Sequence, residues 1–181
     1  MTTKIALVGL AGSGKSTCAR LIADYAAERG LTTVWVPLAD PLYRLQAQVY
    51  AAAGRTLSPG EQDQVLLESI ADHLRRLNPR ALVDDFLARI SLAADADLLL
   101  NEDLRDPHVD APALRASGFL IIRVTCDEEL RRIRLKERHD PTLADRSTAE
   151  IDLITPDAVI DNSGGLSAYR AIVYETFRAC L

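Results

Sequence analysis

The sequence predicts an α/β protein in which helices cover both faces of a five-stranded parallel sheet, giving a three-layer fold. Short apolar runs alternate along the chain with segments of helical periodicity. The first run, residues 5–8, is apolar at every position, which is typical of a strand buried on both faces of a parallel sheet. Since 181 residues suit one compact domain, we expect a single domain over 1–181.

The first elements form a strand–helix–strand unit. The strand at 5–8 leads through a glycine-rich turn into a helix predicted over 15–29, where apolar residues recur every three or four positions. Gly30 is placed to end that helix. Residues 32–36 are β-branched and aromatic, which predicts a second strand that ends before Pro37.

The segment 40–94 contains only helical patterns. Asp40 is followed by a proline, a combination that starts helices. Residues 61–77 carry an apolar stripe that includes His73, so we expect this histidine in the core. A further helix runs over 79–94. This helical insertion between the second and third strands is where a second ligand could be gripped.

The remainder of the chain continues the alternation of strands and helices. Its predicted strands cover residues 97–101, 119–124 and 158–160. Its predicted helices cover residues 107–117, 127–138 and 166–180, and a polar loop fills 139–148. Together with the first two strands, these runs complete the five strands of the predicted sheet.

The overall charge excludes some classes of function. The chain has 21 Lys and Arg against 26 Asp and Glu, a formal net charge of −5, and 48% hydrophobic residues. The high apolar content excludes a disordered protein. The acidic balance excludes a protein that binds nucleic acid through bulk charge. Any phosphate ligand must therefore be held by a local cationic site.

Cysteine usage and hydropathy point to a cytoplasmic protein. Cys18, Cys126 and Cys180 are far apart and form no metal-binding spacing, which fits a reducing compartment. The amino-terminal apolar run is too short for a signal peptide. No apolar run approaches the ~20 residues that span a bilayer, so we expect no membrane association.

The most specific motif is the segment 9–16, GLAGSGKS, which matches GxxxxGK[ST] between a predicted strand and a predicted helix. Its backbone N–H groups and the positive end of the helix dipole favour a phosphate. The residues expected to bind nucleotide are Gly12, Ser13, Gly14, Lys15, Ser16 and Thr17. Lys15 would reach the β- and γ-phosphates, and Ser16 would offer a hydroxyl to Mg²⁺. The Asn/Thr-Lys-x-Asp sequence that GTPases use to read guanine is absent.

A second polar motif, residues 101–105 (NEDLR), follows the third predicted strand directly. Ligands of open parallel sheets bind at the carboxyl ends of strands. An acidic residue there can hold Mg²⁺, with Asp103 as the first choice and Glu102 as the second. Arg105 could clamp a substrate phosphate through two parallel hydrogen bonds.

Arginines concentrate on the charged helix near residue 130 and in the loop after it. The members of this group are Arg131, Arg132, Arg134, Arg138 and Arg146. Arg134 and Arg138 are four positions apart and therefore share a helix face. Planar guanidinium groups suit the spread negative charge of a transferring phosphoryl group. We interpret residues 134–148 as a short lid.

Through these motifs, the sequence resembles the nucleoside monophosphate kinase group of P-loop proteins, and most of all the phage-type deoxynucleoside monophosphate kinases. Phosphomevalonate and dephospho-coenzyme A kinases are more distant cousins. Besides the phosphate loop, the segments that carry the resemblance are 38–43 (LADPLY), 103–105 (DLR), 118–123, 134–138, 147–150 and 157–164. The resemblance implies the P-loop kinase fold over nearly the whole chain.

The resemblance also implies roles for the matching residues. Lys15 and the lid arginines Arg134 and Arg138, with Arg146 as a further candidate, would be catalytic through charge neutralisation. The acceptor would be bound by Asp40, Tyr43, Arg44, Arg75 and Arg105. Asn162 and Gly164 would line the adenine.

The implied reaction is the transfer of the ATP γ-phosphoryl group, with Mg²⁺, to a (deoxy)nucleoside monophosphate, which yields the diphosphate and ADP. Tyr43 stands where the family has a lysine, so the acceptor stays open. The alternatives are a kinase of another phosphorylated small metabolite and a nucleotide-binding ATPase or switch without an acceptor. A homodimer is a further open expectation.

Overall fold

The computed structural model describes residues 2–58, 60–93, 95–137 and 150–180. Its five strands are β1 (Thr3–Val8), β2 (Thr33–Trp35), β3 (Leu98–Asn101), β4 (Leu120–Thr125) and β5 (Ala158–Asp161). They form one sheet in the order β2-β3-β1-β4-β5, and every neighbouring pair is parallel. The predicted five-stranded parallel sheet is therefore confirmed.

Helices connect the strands. They are α1 (Lys15–Ala27), α2 (Asp40–Ala52), α3 (Gln64–Leu77), α4 (Ala81–Leu92), α5 (Asp110–Ala116), α6 (Glu128–Glu137) and α7 (Leu166–Cys180), with a 3₁₀ turn at Ile151–Leu153. As predicted, α2 to α4 form an all-helical segment between β2 and β3. In the described part of the chain, no helix is both long and apolar enough to cross a membrane.

The pleat of β1 explains why the core has two layers. Ile5 and Leu7 are fully buried in a cluster with residues of α1 and α7. Ala6 and Val8 point to the opposite face and pack in a cluster with residues of α4 and α5. Successive side chains of a strand alternate between faces, so a strand that is apolar throughout fills both layers. Burying a side chain the size of Ile5 or Leu7 contributes about 1.5–3 kcal/mol.

The helical insertion has a small core of its own. Leu42 of α2, Leu67 of α3 and Leu82 of α4 are buried against one another. This cluster lies outside the two sheet-packed layers and fixes the three helices relative to each other. This packing helps to decide which faces of α2 and α3 are turned toward solvent.

Two helices begin later than the sequence predicts, and an aspartate side chain accepts backbone hydrogen bonds near each start. The Asp63 carboxylate accepts from the Leu66 N–H at 3.0 Å, so α3 begins at Gln64. The Asp106 carboxylate accepts from the N–H groups of the next turn, at 2.9 Å for His108, and α5 begins at Asp110. Gln62 and Gln64, which flank Asp63, and Asp106 itself line one cavity of the candidate site.

Candidate functional site

The loop after β1 has the backbone shape of a phosphate cradle. Gly14 caps α1 with φ 102°, in the left-handed region that favours glycine. A Cβ atom at Gly14 would lie 2.1 Å from Nδ2 of Asn162, and one at Gly9 would lie 2.3 Å from the Val124 carbonyl oxygen. Other residue types are therefore excluded at both positions by close approach as well as by backbone conformation.

The cationic and hydroxyl groups of the motif lie at the start of α1. Nζ of Lys15 donates to the carbonyl oxygens of Gly9 at 2.7 Å and Leu10 at 3.0 Å, so the ammonium group lies over the loop. Ser16, in the first turn, is exposed. Among the described residues no side chain caps this helix end, so its dipole is directed toward the loop. The arrangement fits the phosphates of a nucleotide.

A cavity of about 130 Å³ opens beside this loop. Its lining residues are Gly14, Thr17, Arg134, Asn162, Gly164, Leu166 and Tyr169. Five of these seven are residues that the sequence assigns to nucleotide binding or to the lid. The structure thus brings together predicted residues from three distant parts of the chain.

Asn162 holds the loop directly, and Arg134 holds Asn162. The Asn162 side chain is buried and its Nδ2 donates to the Ser13 carbonyl oxygen at 2.8 Å. Nη2 of Arg134 donates to the Asn162 carbonyl oxygen at 3.2 Å. Nη1 of Arg134 is buried and has no hydrogen-bond partner within the described residues. This guanidinium therefore keeps one donor for an anion at the cavity.

Arg131, a member of the arginine group identified from the sequence, contacts the phosphate loop directly. Its Nη1 donates to the Ala11 carbonyl oxygen of the phosphate loop at 3.1 Å, while its Nε pairs with Glu128 at 2.7 Å. The lid predicted over 134–148 begins at the end of this helix. Arg138 and Arg146 lie outside the described residues, so their predicted roles stay predictions.

Glu102 fits a metal better than Asp103, which is the first choice from the sequence. The Asp103 carboxylate already accepts from the N–H groups of Leu38 at 2.8 Å and Ala39 at 2.9 Å. It also accepts from Nδ2 of Asn101 at 2.6 Å. Asp103 therefore fastens the chain after β2 to the end of β3.

By contrast, Oε2 of Glu102 is buried without a hydrogen-bond partner in the part of the chain that is described. A carboxylate oxygen of this kind and the exposed Ser16 hydroxyl are the donor types that Mg²⁺ prefers. The described residues contain no group of three or more His, Cys, Asp or Glu arranged to hold a metal ion. Mg²⁺ at this site would therefore need further ligands from the nucleotide or from solvent.

A second, larger cavity of about 810 Å³ lies between the helical insertion and the loop after β3. Its polar lining residues are Tyr43, Gln62, Gln64, Glu68, Ser69, Asp72, His73, Arg75, Arg76, Asp103, Arg105, Asp106, Asp110 and Glu150. Three residues that the sequence assigns to the acceptor, Tyr43, Arg75 and Arg105, are on this wall.

Arg75 is held at the wall by two carboxylates. Its Nη2 lies 2.7 Å from Oδ2 of Asp110, and its Nη1 lies 3.2 Å from Oδ2 of Asp106. The Asp110 side chain is only 3% exposed. Burial raises the pKa of the Asp110 carboxyl, and the Arg75 guanidinium opposes that shift. Because two carboxylates match its charge, Arg75 is a weaker anion clamp than its sequence position suggests.

The structure does not bring Asp40 and Arg44 to either cavity. Arg44 pairs with Asp40, four positions earlier on α2, and its Nη2 lies 2.8 Å from Oδ1 of Asp85 on α4. Asp85 in turn pairs with Arg89 at 2.6 Å. The packing of α2 against α4 turns this face away from the large cavity. The expected contact of Asp40 and Arg44 with an acceptor is therefore not supported.

Tyr43 faces the large cavity as a neutral phenol. Nε2 of Gln62 donates to its hydroxyl oxygen at 3.3 Å. Burial and the nearby Asp103 carboxylate raise the Tyr43 pKa. The phenol hydrogen is therefore retained at neutral pH, and Tyr43 can donate it to a ligand oxygen.

Sequence reasoning misses several lining residues because they carry no motif. His73 is exposed and lines the cavity, so its expected place in the core is wrong. Gln62 lies two positions before α3, and Arg76 lies in the last turn of that helix. The capping Asp63 was the one available signal, since it shortens α3 and leaves Gln62 in the loop at the cavity.

Comparisons with known proteins agree with this architecture. A shikimate kinase from Acinetobacter baumannii in complex with shikimate superposes with a TM-score of 0.56 at 17% identity, covering 99% of this chain and 93% of that one. A gluconokinase from Sinorhizobium meliloti gives 0.52 at 14% identity, covering 98% and 92%. A sugar kinase from Janibacter gives 0.50 at 17% identity, covering 98% and 96%.

Together with the phosphate loop, these similarities show that the chain has the fold of P-loop kinases. They do not single out the phage-type deoxynucleoside monophosphate kinases that the sequence resembles. No protein-family profile matches the chain. No curated protein matches it either.

Proposed function

We propose that the protein is an ATP-dependent kinase of a small, polar, hydroxyl-bearing metabolite. The observation that carries the proposal is the pair of cavities along the carboxyl edge of one sheet. The smaller contacts the phosphate loop, and the larger is walled by the helical insertion and the loop after β3. Because β1 and β3 are neighbours in register, their end loops adjoin. A donor and an acceptor can thus meet there.

The phosphate loop supplies the donor half of this function. Lys15 and the Arg134 guanidinium, whose Nη1 has no hydrogen-bond partner among the described residues, would neutralise charge on the phosphates. Glu102 and Ser16 would hold Mg²⁺, which when bound screens the negative charge of the phosphate oxygens. The protein's own contribution is positioning and charge, which is how most phosphoryl-transfer enzymes work.

The balance of charge in the large cavity supports a hydroxyl-bearing acceptor. Its wall carries six carboxylates, Glu68, Asp72, Asp103, Asp106, Asp110 and Glu150, against three arginines, Arg75, Arg76 and Arg105. One of these arginines is already matched by two of the carboxylates. A dianionic phosphate meets repulsion on such a wall, whereas hydroxyl groups can hydrogen-bond to carboxylates, amides and a phenol. Several structurally similar proteins are kinases of metabolites of this kind.

A nucleoside monophosphate is the second candidate acceptor. Tyr43 presents an aromatic ring to the cavity, and Arg76 and Arg105 share its wall. A ring and two cations are suited to a base and a phosphate. This reading agrees with the sequence resemblance, but it requires the phosphate to bind among the carboxylates described above.

An acceptor panel tests the proposal. ADP release is measured with MgATP and, one at a time, shikimate, gluconate, hexoses, sugar phosphates, and ribo- and deoxynucleoside monophosphates. We expect release to depend on a hydroxyl-bearing metabolite and the product to show a phosphate-ester signal in ³¹P NMR. A phosphoanhydride signal would favour the monophosphate. Hydrolysis at the full rate without an acceptor would contradict both candidates.

A further inference from the structure

The phenol of Tyr169 hydrogen-bonds to the phosphate loop from the buried core side. Tyr169 lies on α7, the last helix, and its side chain is almost fully buried in the core layer shared with α1. Its hydroxyl lies 3.0 Å from the carbonyl oxygen of Gly14, across 155 positions of sequence. A backbone carbonyl of the loop is therefore held by a side chain from the opposite end of the chain.

The direction of this hydrogen bond is fixed by the groups involved. A carbonyl oxygen only accepts, so the single phenol hydrogen is donated to Gly14. The phenol therefore acts as a hydrogen-bond donor to the backbone of the loop.

The same carbonyl accepts a second bond, from the Cys18 N–H at 2.9 Å. Both lone pairs of the Gly14 oxygen are therefore engaged. One residue earlier, the Ser13 carbonyl is held by Asn162. Two successive peptide planes of the loop are thus each fixed by a buried side chain.

These bonds determine where the loop's donors point. A peptide unit is planar and trans, so its C=O and N–H are directed oppositely. Fixing the Gly14 carbonyl toward Tyr169 therefore aims the Lys15 N–H away from the core. Fixing the Ser13 carbonyl toward Asn162 aims the Gly14 N–H likewise. These are N–H groups of the kind that cradle phosphate at a helix start.

We infer that Tyr169 is a positioning residue that orients the Lys15 N–H for phosphate binding. This inference rests on the proposed function only in that the protein must bind ATP, and it is independent of the acceptor. The phenol does not need to touch the nucleotide phosphates for this role, because it acts through the Gly14–Lys15 peptide unit.

The test compares Tyr169→Phe with Tyr174→Phe. Both residues are tyrosines of α7, and Tyr174 packs its ring against Tyr25 with centroids 4.7 Å apart. Isothermal titration with Mg²⁺ and a non-hydrolysable ATP analogue gives the Kd, and ¹H–¹⁵N NMR gives the amide signal of Lys15. We expect Tyr169→Phe to raise the Kd about three- to tenfold and to move the Lys15 signal. Tyr174→Phe should change neither.

The outcomes separate the two levels of inference. Wild-type protein that fails to bind the analogue would overturn the proposed function and this inference with it. Wild-type binding with an unchanged Kd in folded Tyr169→Phe would overturn the inference alone. If Tyr169→Phe does not fold, the Lys15 amide signal of the wild-type protein is followed during the titration instead. A shift of this signal on binding of the analogue supports the role, and an unchanged signal overturns it.

Discussion

The phosphate loop and the large cavity are built in contrasting ways. The loop is a backbone structure, and two buried neutral side chains, Asn162 and Tyr169, hydrogen-bond to its carbonyl oxygens. The large cavity is walled by charged side chains from several segments, and many of those charges are matched within the protein. Under the proposed function, the backbone site would hold the nucleotide phosphates, whereas the side-chain wall would select the acceptor. The contrast then separates the chemistry of the reaction from its specificity.

The largest effect is expected at Lys15, because its ammonium group lies over the loop. Lys15→Ala should reduce turnover at least about 100-fold, since a preorganised cation at the transferring phosphates is lost. The melting temperature should change little. Lys4→Ala is the matched control, as Lys4 lies at the other end of β1 and donates to the Ser117 carbonyl. Turnover near the wild-type rate in Lys15→Ala would contradict the assignment of the phosphate loop to the reaction.

Arg75→Met tests whether the charges on the wall of the large cavity are paired within the protein. The change leaves Asp110 buried without its cation, so we expect a loss of about 2–3 kcal/mol in the free energy of unfolding. Urea unfolding measures this loss. Arg80→Met is the control, because Arg80 and Asp84 form an exposed pair with both side chains about half-exposed, and its removal should cost under about 0.5 kcal/mol. Equal losses in the two variants would refute the matched-wall description.

Glu102→Gln and Asp103→Asn distinguish a metal-binding role for Glu102 from a structural role for Asp103. Glu102→Gln should raise the Mg²⁺ concentration that gives half-maximal activity about tenfold, with little change in thermal stability. Asp103→Asn weakens the bonds to Leu38 and Ala39, so its melting temperature should fall. Titrating activity with MgCl₂ and melting both proteins distinguishes the roles. The reverse pattern would return the metal role to Asp103.

The smallest effect concerns pH and Asp106. Burial by itself would raise the pKa of the Asp106 carboxyl. The hydrogen bond from the Val109 N–H and the charge of Arg75 outweigh burial, so the pKa is lowered. A lowered native pKa stabilises the fold at neutral pH, and that contribution is lost as pH falls from about 4. Asp106→Asn should melt about 3 °C lower at neutral pH and show a shallower loss on acidification than wild type. Parallel melting curves from pH 7 to pH 3 would contradict this.

The phosphate loop could be predicted from the sequence because its interactions are local. Gly9, Gly14 and Lys15 lie within seven positions, and the flanking strand and helix are fixed by apolar periodicity. The wall of the large cavity could not be predicted as well. Arg44 and Arg75 both lie on amphipathic helices, but only the packing of Leu42, Leu67 and Leu82 decides which arginine faces the cavity.

By itself, the sequence determined the parallel sheet, the order of helices and strands, and the position of the phosphate loop. These features depend on hydrophobic periodicity and on residues close together in the chain. Only the tertiary structure decided that Asp103 is spent on backbone N–H groups, that Glu102 keeps a buried oxygen free of protein partners within the described residues, and that Tyr169 reaches Gly14. The physical reason is that hydrogen-bond partners far apart in sequence become neighbours only once the layers have packed.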